Sequence, residues 1–166
     1  MYASIASFIE DYAHESAGTQ KLLDRLTDES LKQPITDGYR TLGHIAWHIA
    51  GSVDIVAHAG VKYEHSKDDN KPPSAKEIAD AYRRSSQALL EAVKTQWTDA
   101  DLGTVQTIFG QQWSNGKTLG QLVKHEVHHR GQLTILMRQA GLSVSGVYGP
   151  AKEEWAYAGM EPPVLR

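Results

Sequence analysis

The residues best equipped for chemistry lie in one stretch, Lys124-His125-Glu126-Val127-His128-His129-Arg130-Gly131-Gln132, which holds three of the chain's eight histidines within five positions. His125 and His129 stand four apart, so a helix places one above the other on one face. Two imidazoles at that spacing can grip one metal ion. The lead-in, Thr118-Leu119-Gly120-Gln121-Leu122-Val123-Lys124-His125, repeats the pattern of Thr41-Leu42-Gly43-His44-Ile45-Ala46-Trp47-His48. Both read T-L-G-x-x-x-x-H. The expectation is that two helices begin alike, and that His48, His125 and His129 converge on one metal inside a helical bundle.

A single inward histidine is ordinarily a core residue whose ring finds local partners. Three on inward stripes are harder to accommodate, since burying an unpartnered imidazole costs about 2 kcal/mol or more. One divalent ion satisfies three ring nitrogens together and fixes their tautomers. His44 is a rival ligand because it stands four before His48, but the repeat matches His48 to His125. His128 lies about 60° round the helix from His125 and reads as a group at the rim of a cleft. Arg130 and Gln132 read as groups that orient neighbours or substrate; for Arg130 the alternative is an ion pair at the bundle surface. Arg130 and His128 are the candidates for direct catalysis, with Tyr148 approaching from the tail. His14, His58 and His65 carry no motif.

The same stretch also parses as H-E-x-x-H, the zinc-peptidase signature, with Glu126 as base and Glu153 or Glu154 as third ligand. Such peptidases usually hold extended substrate along a sheet edge, and this chain offers a hairpin at most. The bundle reading is preferred.

The elements that must position these groups follow from periodicity. Residues 3–26 carry an apolar stripe of Ile5, Phe8, Ile9, Tyr12, Leu23 and Leu26, with Gly18 as its weak point. Thr41 is a good N-cap for a helix from Leu42 to about Ala59, with Ile45, His48, Ser52 and Ile55 on its inward face. Residues 61–73 are polar and proline-bearing, hence a loop. Ser74 with Glu77 forms a capping box opening a third helix to about Trp97, on the stripe Ile78, Tyr82, Leu89 and Ala92. Residues 104–113 suggest an extended segment or small hairpin, with Asn115-Gly116 as a tight-turn signal. Thr118 is expected to cap a fourth helix to Ala140, ended by Gly141. A short helix is expected near Lys152 to Tyr157. Four long helices with one excursion give an all-α four-helix bundle, with residues 1–166 as one domain.

Composition sets the outer bounds. A chain of 166 residues with 40% hydrophobic and 22% charged residues is an ordinary globular protein. A net charge of −3 gives no electrostatic case for nucleic acid or an anionic membrane. There is no cysteine, so disulfides and thiolate ligands are excluded and any reacting thiol must come from outside the chain. The first residues do not read as a signal peptide, and no apolar run is long enough for a membrane helix. The expected location is cytoplasmic.

The segment His125-Glu126-Val127-His128-His129-Arg130-Gly131-Gln132 closely resembles the H-x-x-x-H-R-G-Q signature of the DinB family, a group with YfiT-like metal-dependent hydrolases. Thr41-Leu42-Gly43 leading to His48 resembles the family's second-helix ligand segment. Leu136-Met137-Arg138-Gln139-Ala140-Gly141, Val147-Tyr148-Gly149-Pro150 and Glu154-Trp155 resemble its C-terminal part. The resemblance implies an up-down-down-up bundle with one divalent metal on His48, His125 and His129, and often a homodimer. Zinc or nickel suits three imidazoles best, with iron or manganese also accepted. Relatives include S-transferases and isomerases that use low-molecular-weight thiols such as bacillithiol or mycothiol. The implied activity is that of a metal-dependent enzyme activating such a thiol, or water, against a small-molecule substrate. The alternative is a metal-binding stress-response protein without turnover.

Overall fold

The computed structural model describes residues 2–164. Its α-helices are α1 (Ile5–Leu23), α2 (Leu42–Ser52), α3 (Ala75–Gln96) and α4 (Asn115–Gln139). A two-stranded antiparallel hairpin, β1 (Val105–Ile108) and β2 (Gln111–Ser114), precedes α4.

Contacts between the helix ends fix the direction of each helix. The amide of Ile5, at the start of α1, donates to Asp99 just beyond the end of α3 (2.7 Å). At the other end, Asp28 follows α1 and accepts from the amide of Ala75, which opens α3 (2.8 Å). Gly43, at the start of α2, lies against Leu31 and Pro72 at that same end. The side-chain amide of Asn115, at the start of α4, donates to the carbonyl of Asp101 (2.9 Å), back beside the start of α1. The chain therefore runs up in α1, down in α2 and α3, and up in α4. Residues 53–74 form the long crossover that two consecutive parallel helices require.

The capping residues explain where the helices start. Ser4 caps α1, Thr41 caps α2 with His44 completing a capping box, and Ser74 with Glu77 opens α3 as expected. Two boundaries differ from the sequence reading. The helix expected to reach Ala59 changes after Ser52 into 3-10 turns over Val53–Ala59. There the Tyr63 hydroxyl bonds the Val53 carbonyl, which a continuing α-helix would have used. The fourth helix starts at Asn115, not after Thr118. Ser114 is its cap, accepting from the Lys117 amide, while Thr118 lies inside and bonds back to the Ser114 carbonyl. Asn115-Gly116 is therefore the first turn of a helix. The hairpin turn is Phe109-Gly110, where both residues have positive φ (49° and 74°). That is the geometry of a two-residue type I′ turn. A phenylalanine there costs roughly 1–2 kcal/mol relative to a right-handed conformation.

The core draws on all four helices: Phe8, Tyr12 and Leu22 from α1, Ile45 and Ile49 from α2, Ile78, Tyr82 and Leu89 from α3, and Leu119, Leu122 and Leu133 from α4 are fully buried. The buried face of α2 is Leu42, Ile45, Ala46, Ile49 and Ala50. The expected stripe of His48, Ser52 and Ile55 lies along its edge, half-buried. Gly18 does not interrupt α1; it makes room for Val147 of the tail, whose methyl carbon lies 2.7 Å from where a Cβ would stand.

A polar network crosses this core. Glu126 accepts from the hydroxyls of Thr19 and Tyr82 (both 2.6 Å), joining α4 to α1 and α3. Its neighbour Arg130 makes a buried ion pair with Glu15 (2.5 Å) and also donates to the Glu15 carbonyl and to Thr19. Burial pushes the Glu126 carboxyl above its ordinary pKa, against the opposing pull of those hydroxyls and Arg130. Removing one donor to a buried carboxylate leaves acceptor capacity unmet. Tyr82→Phe is expected to lower stability by about 1–2 kcal/mol in urea unfolding while leaving the helix content unchanged by circular dichroism.

Candidate metal centre

His125 and His129 lie one turn apart on α4, as the spacing predicts, and His48 faces them from α2. His125 Nε2 is 3.3 Å from His48 Nε2 and 3.1 Å from His129 Nε2. One ring nitrogen from each of the three lies within 4.8 Å of the others, the only such group of potential ligands among the described residues. His129 is buried; His48 and His125 are half-exposed, so the group sits at the rim of the core.

The opposite nitrogens decide the tautomers. His48 Nδ1 is 2.7 Å from a carboxylate oxygen of Asp68. A carboxylate only accepts, so Nδ1 carries the proton and the neutral ring turns a bare Nε2 inward. His129 Nδ1 is likewise 2.8 Å from the Gln132 side-chain carbonyl, which leaves its Nε2 bare. His125 Nε2 faces both, with at most one proton to offer. Three acceptors crowd together with too few hydrogens between them. Ligands bound tetrahedrally at about 2.1 Å to a zinc-like ion are about 3.4 Å apart, close to the observed spacings.

The electrostatics favour neutral rings at His125 and His129. Burial, reinforced by the neighbouring imidazoles of His129 and His48, pushes the His125 pKa down from 6.5 to about 4. Burial lowers that of His129 as well, although the bond to Gln132 opposes it. Burial alone would raise the Asp68 pKa, but its bonds to His48 and to the Asn70 amide hold it below the ordinary value.

The other named residues go elsewhere. His44 Nδ1 lies 2.8 Å from Thr41 Oγ1 and completes the helix cap. His128 is exposed beside the triad, its Nε2 3.3 Å from Gln132 Nε2. Arg130 forms the expected ion pair, but in the core and not at the surface. Tyr148 bonds Glu15 and Arg130 (2.7 and 2.8 Å), not the histidines. Glu126 is buried in its own network, Glu153 pairs with Arg138 and Glu154 holds the amides of Gly146 and Ala151, which leaves the H-E-x-x-H parse without a base or a third ligand at the site. Asp68 was not foreseen. It lies in the crossover, in a run of charged residues that carries no periodic signal.

A cleft of about 600 Å³ opens beside His48, His125 and His128. Ile55 from the 3-10 segment and Phe109 and Trp113 from the hairpin complete its apolar wall, and Lys124 stands at its edge.

The family model described as the DinB family matches residues 1–163. This chain belongs to the DinB family. It is 48% identical over 167 residues to YrdA of Bacillus subtilis, a protein described as uncharacterized, covering 99% of this chain and 100% of that one. Its fold matches the crystal structure of a DinB-like protein from Bacillus cereus with a TM-score of 0.85 at 47% identity, covering 89% of this chain and 100% of the other. The DinB-like protein YjoA of B. subtilis shares the fold at 20% identity, with a TM-score of 0.66 over 82% of this chain and 93% of that one.

The lowered histidine pKa values carry a stability consequence. The unfolded chain takes up protons below 6.5, where folded His125 stays neutral until about 4. The metal-free protein should therefore lose stability progressively as pH falls through that interval. Urea unfolding of chelator-treated protein across it checks this, and the slope should shrink in His125→Ala.

Proposed function

We propose that His48, His125 and His129 hold one divalent metal ion, zinc or nickel, and that the protein is a metal-dependent enzyme acting on a small-molecule substrate by activating a thiol or water. The observation that carries this reading is the inward convergence of three ring nitrogens, two of them on rings whose opposite nitrogens bond Asp68 and Gln132. When bound, a divalent ion supplies the positive charge that keeps a thiol or water nucleophile ionised near neutral pH.

The chain's own residues do the rest. Asp68 and Gln132 fix the orientation and tautomer of His48 and His129. The cleft gives a reactant access to the histidines from one side, which favours an enzyme over a closed metal store. His128, exposed at that opening, is placed to take up or release a proton. A chain without cysteine must draw any thiol from solution, which agrees with the thiol-dependent transferases this sequence resembles.

Purified protein should carry about one divalent ion per chain. Elemental analysis of His48→Ala, His125→Ala and His129→Ala should show sharp loss, and His44→Ala should retain the ion. The converse result for His44 and His48 would exchange their roles. Loaded protein should conjugate a low-molecular-weight thiol to an electrophile, or hydrolyse a member of an ester and amide panel, and metal-free protein should do neither. Gly51→Ala tests the support for His48. A Cβ there would stand 2.6 Å from the Asp68 amide and 2.8 Å from its Cβ, pushing that residue away. We expect metal affinity to fall about tenfold or more, by competition with a chelating dye, with the fold retained.

A further inference from the structure

Phe109 occupies a place that folding alone does not explain. A type I′ turn favours asparagine, aspartate or glycine at its first central position. Here that position holds a phenylalanine at φ 49° with 70% of its surface exposed. The residue is strained in its backbone and unburied in its side chain, so it adds little to the stability of the hairpin. Strain of this kind concentrates at ligand-binding positions.

The hairpin is nonetheless held in place. Ile108, beside the turn, is buried, and the Phe109 ring packs 5.6 Å from His58 at the end of the 3-10 segment. Trp113 stands edge-to-face to Phe109 at 6.3 Å and is backed by the Lys117 ammonium at 4.7 Å. These two rings line the same cleft as Ile55, Leu122, His48 and His125.

We propose that this cleft is the specificity pocket for a flat apolar, arene-like arm of the substrate, and that Phe109 and Trp113 are the residues that select it. The inference rests on the metal reading above: the substrate class is a small molecule with a metal-directed polar head and an apolar arm pointing to the hairpin. Ring faces and edges recognise such an arm by stacking and by exclusion of water.

The test uses cobalt-loaded protein and two probes with the same metal-binding head, acetohydroxamate and benzohydroxamate, titrated by the visible cobalt absorption. Wild-type protein should bind benzohydroxamate about tenfold or more tighter than acetohydroxamate, the share expected for burying part of one ring. Phe109→Gly and Trp113→Leu should bring the two affinities to within about threefold of each other, with cobalt content and acetohydroxamate affinity unchanged. Because glycine suits the turn, Phe109→Gly should melt no lower than wild type, so lost selectivity cannot be ascribed to unfolding. Equal preference for benzohydroxamate in wild type and both variants overturns the proposal. So does a Phe109→Gly variant that converts a dimer to a monomer in sedimentation while keeping that preference, since the ring then serves a second copy of the chain. If wild-type protein binds cobalt and neither probe, the pocket fails and the metal site stands. If it binds no cobalt, the metal reading itself is lost and this inference with it.

Discussion

Everything at the functional end of this bundle follows from a shortage of hydrogens. Two imidazoles commit their protonated nitrogens to Asp68 and Gln132, and so must turn bare lone pairs toward a third ring. In water each lone pair would find a donor. At the rim of an apolar core, about 3 Å apart, they cannot all be satisfied by one another. A cation would resolve the conflict with a single particle, and the lowered proton affinity of His125 and His129 leaves those rings available for one.

The same helix carries a second, opposite arrangement one face away. Glu126 and Arg130 alternate with His125 and His129 along α4 but point into the bundle, to Thr19, Tyr82 and Glu15. Their partners lie on α1 and α3. The network ties α4 to both helices and sets its rotation about its own axis, which in turn decides where the two histidines look. One segment of α4 thus holds the clustered histidines on one side and their structural anchor on the other.

Much of this was legible in the sequence because it is periodic. The spacing of four placed His125 with His129, and the stripes of α1 and α3 located the core. His48 lies close to them as well, though the repeat that points to it holds only in part. Thr41 caps its helix while Thr118 sits a turn inside one, so the repeated motif marks equal distance to a histidine, not equal helix starts. Asn115-Gly116 misled because the same dipeptide suits a hairpin and a first helical turn; the tertiary bonds of Asn115 to Thr104 and Asp101 decided it. Asp68 was invisible because its role depends on a loop path, which no local pattern encodes. The turn at Phe109-Gly110 escaped notice because phenylalanine is an improbable residue there.

The crossover between α2 and α3 has a bearing beyond topology. Its backbone at Asp68 rests on Gly51, so closely that the glycine hydrogen is all the gap admits, while its carboxylate steadies an imidazole one turn earlier on the same helix. Trp47 reaches the adjacent Asp69 (3.0 Å) and doubles the tether. A strap fastened this way supports the histidine cluster as much as the scaffold. Lengthening or shortening it in evolution would retune how firmly the α2 imidazole is aimed, without touching any of the three histidines.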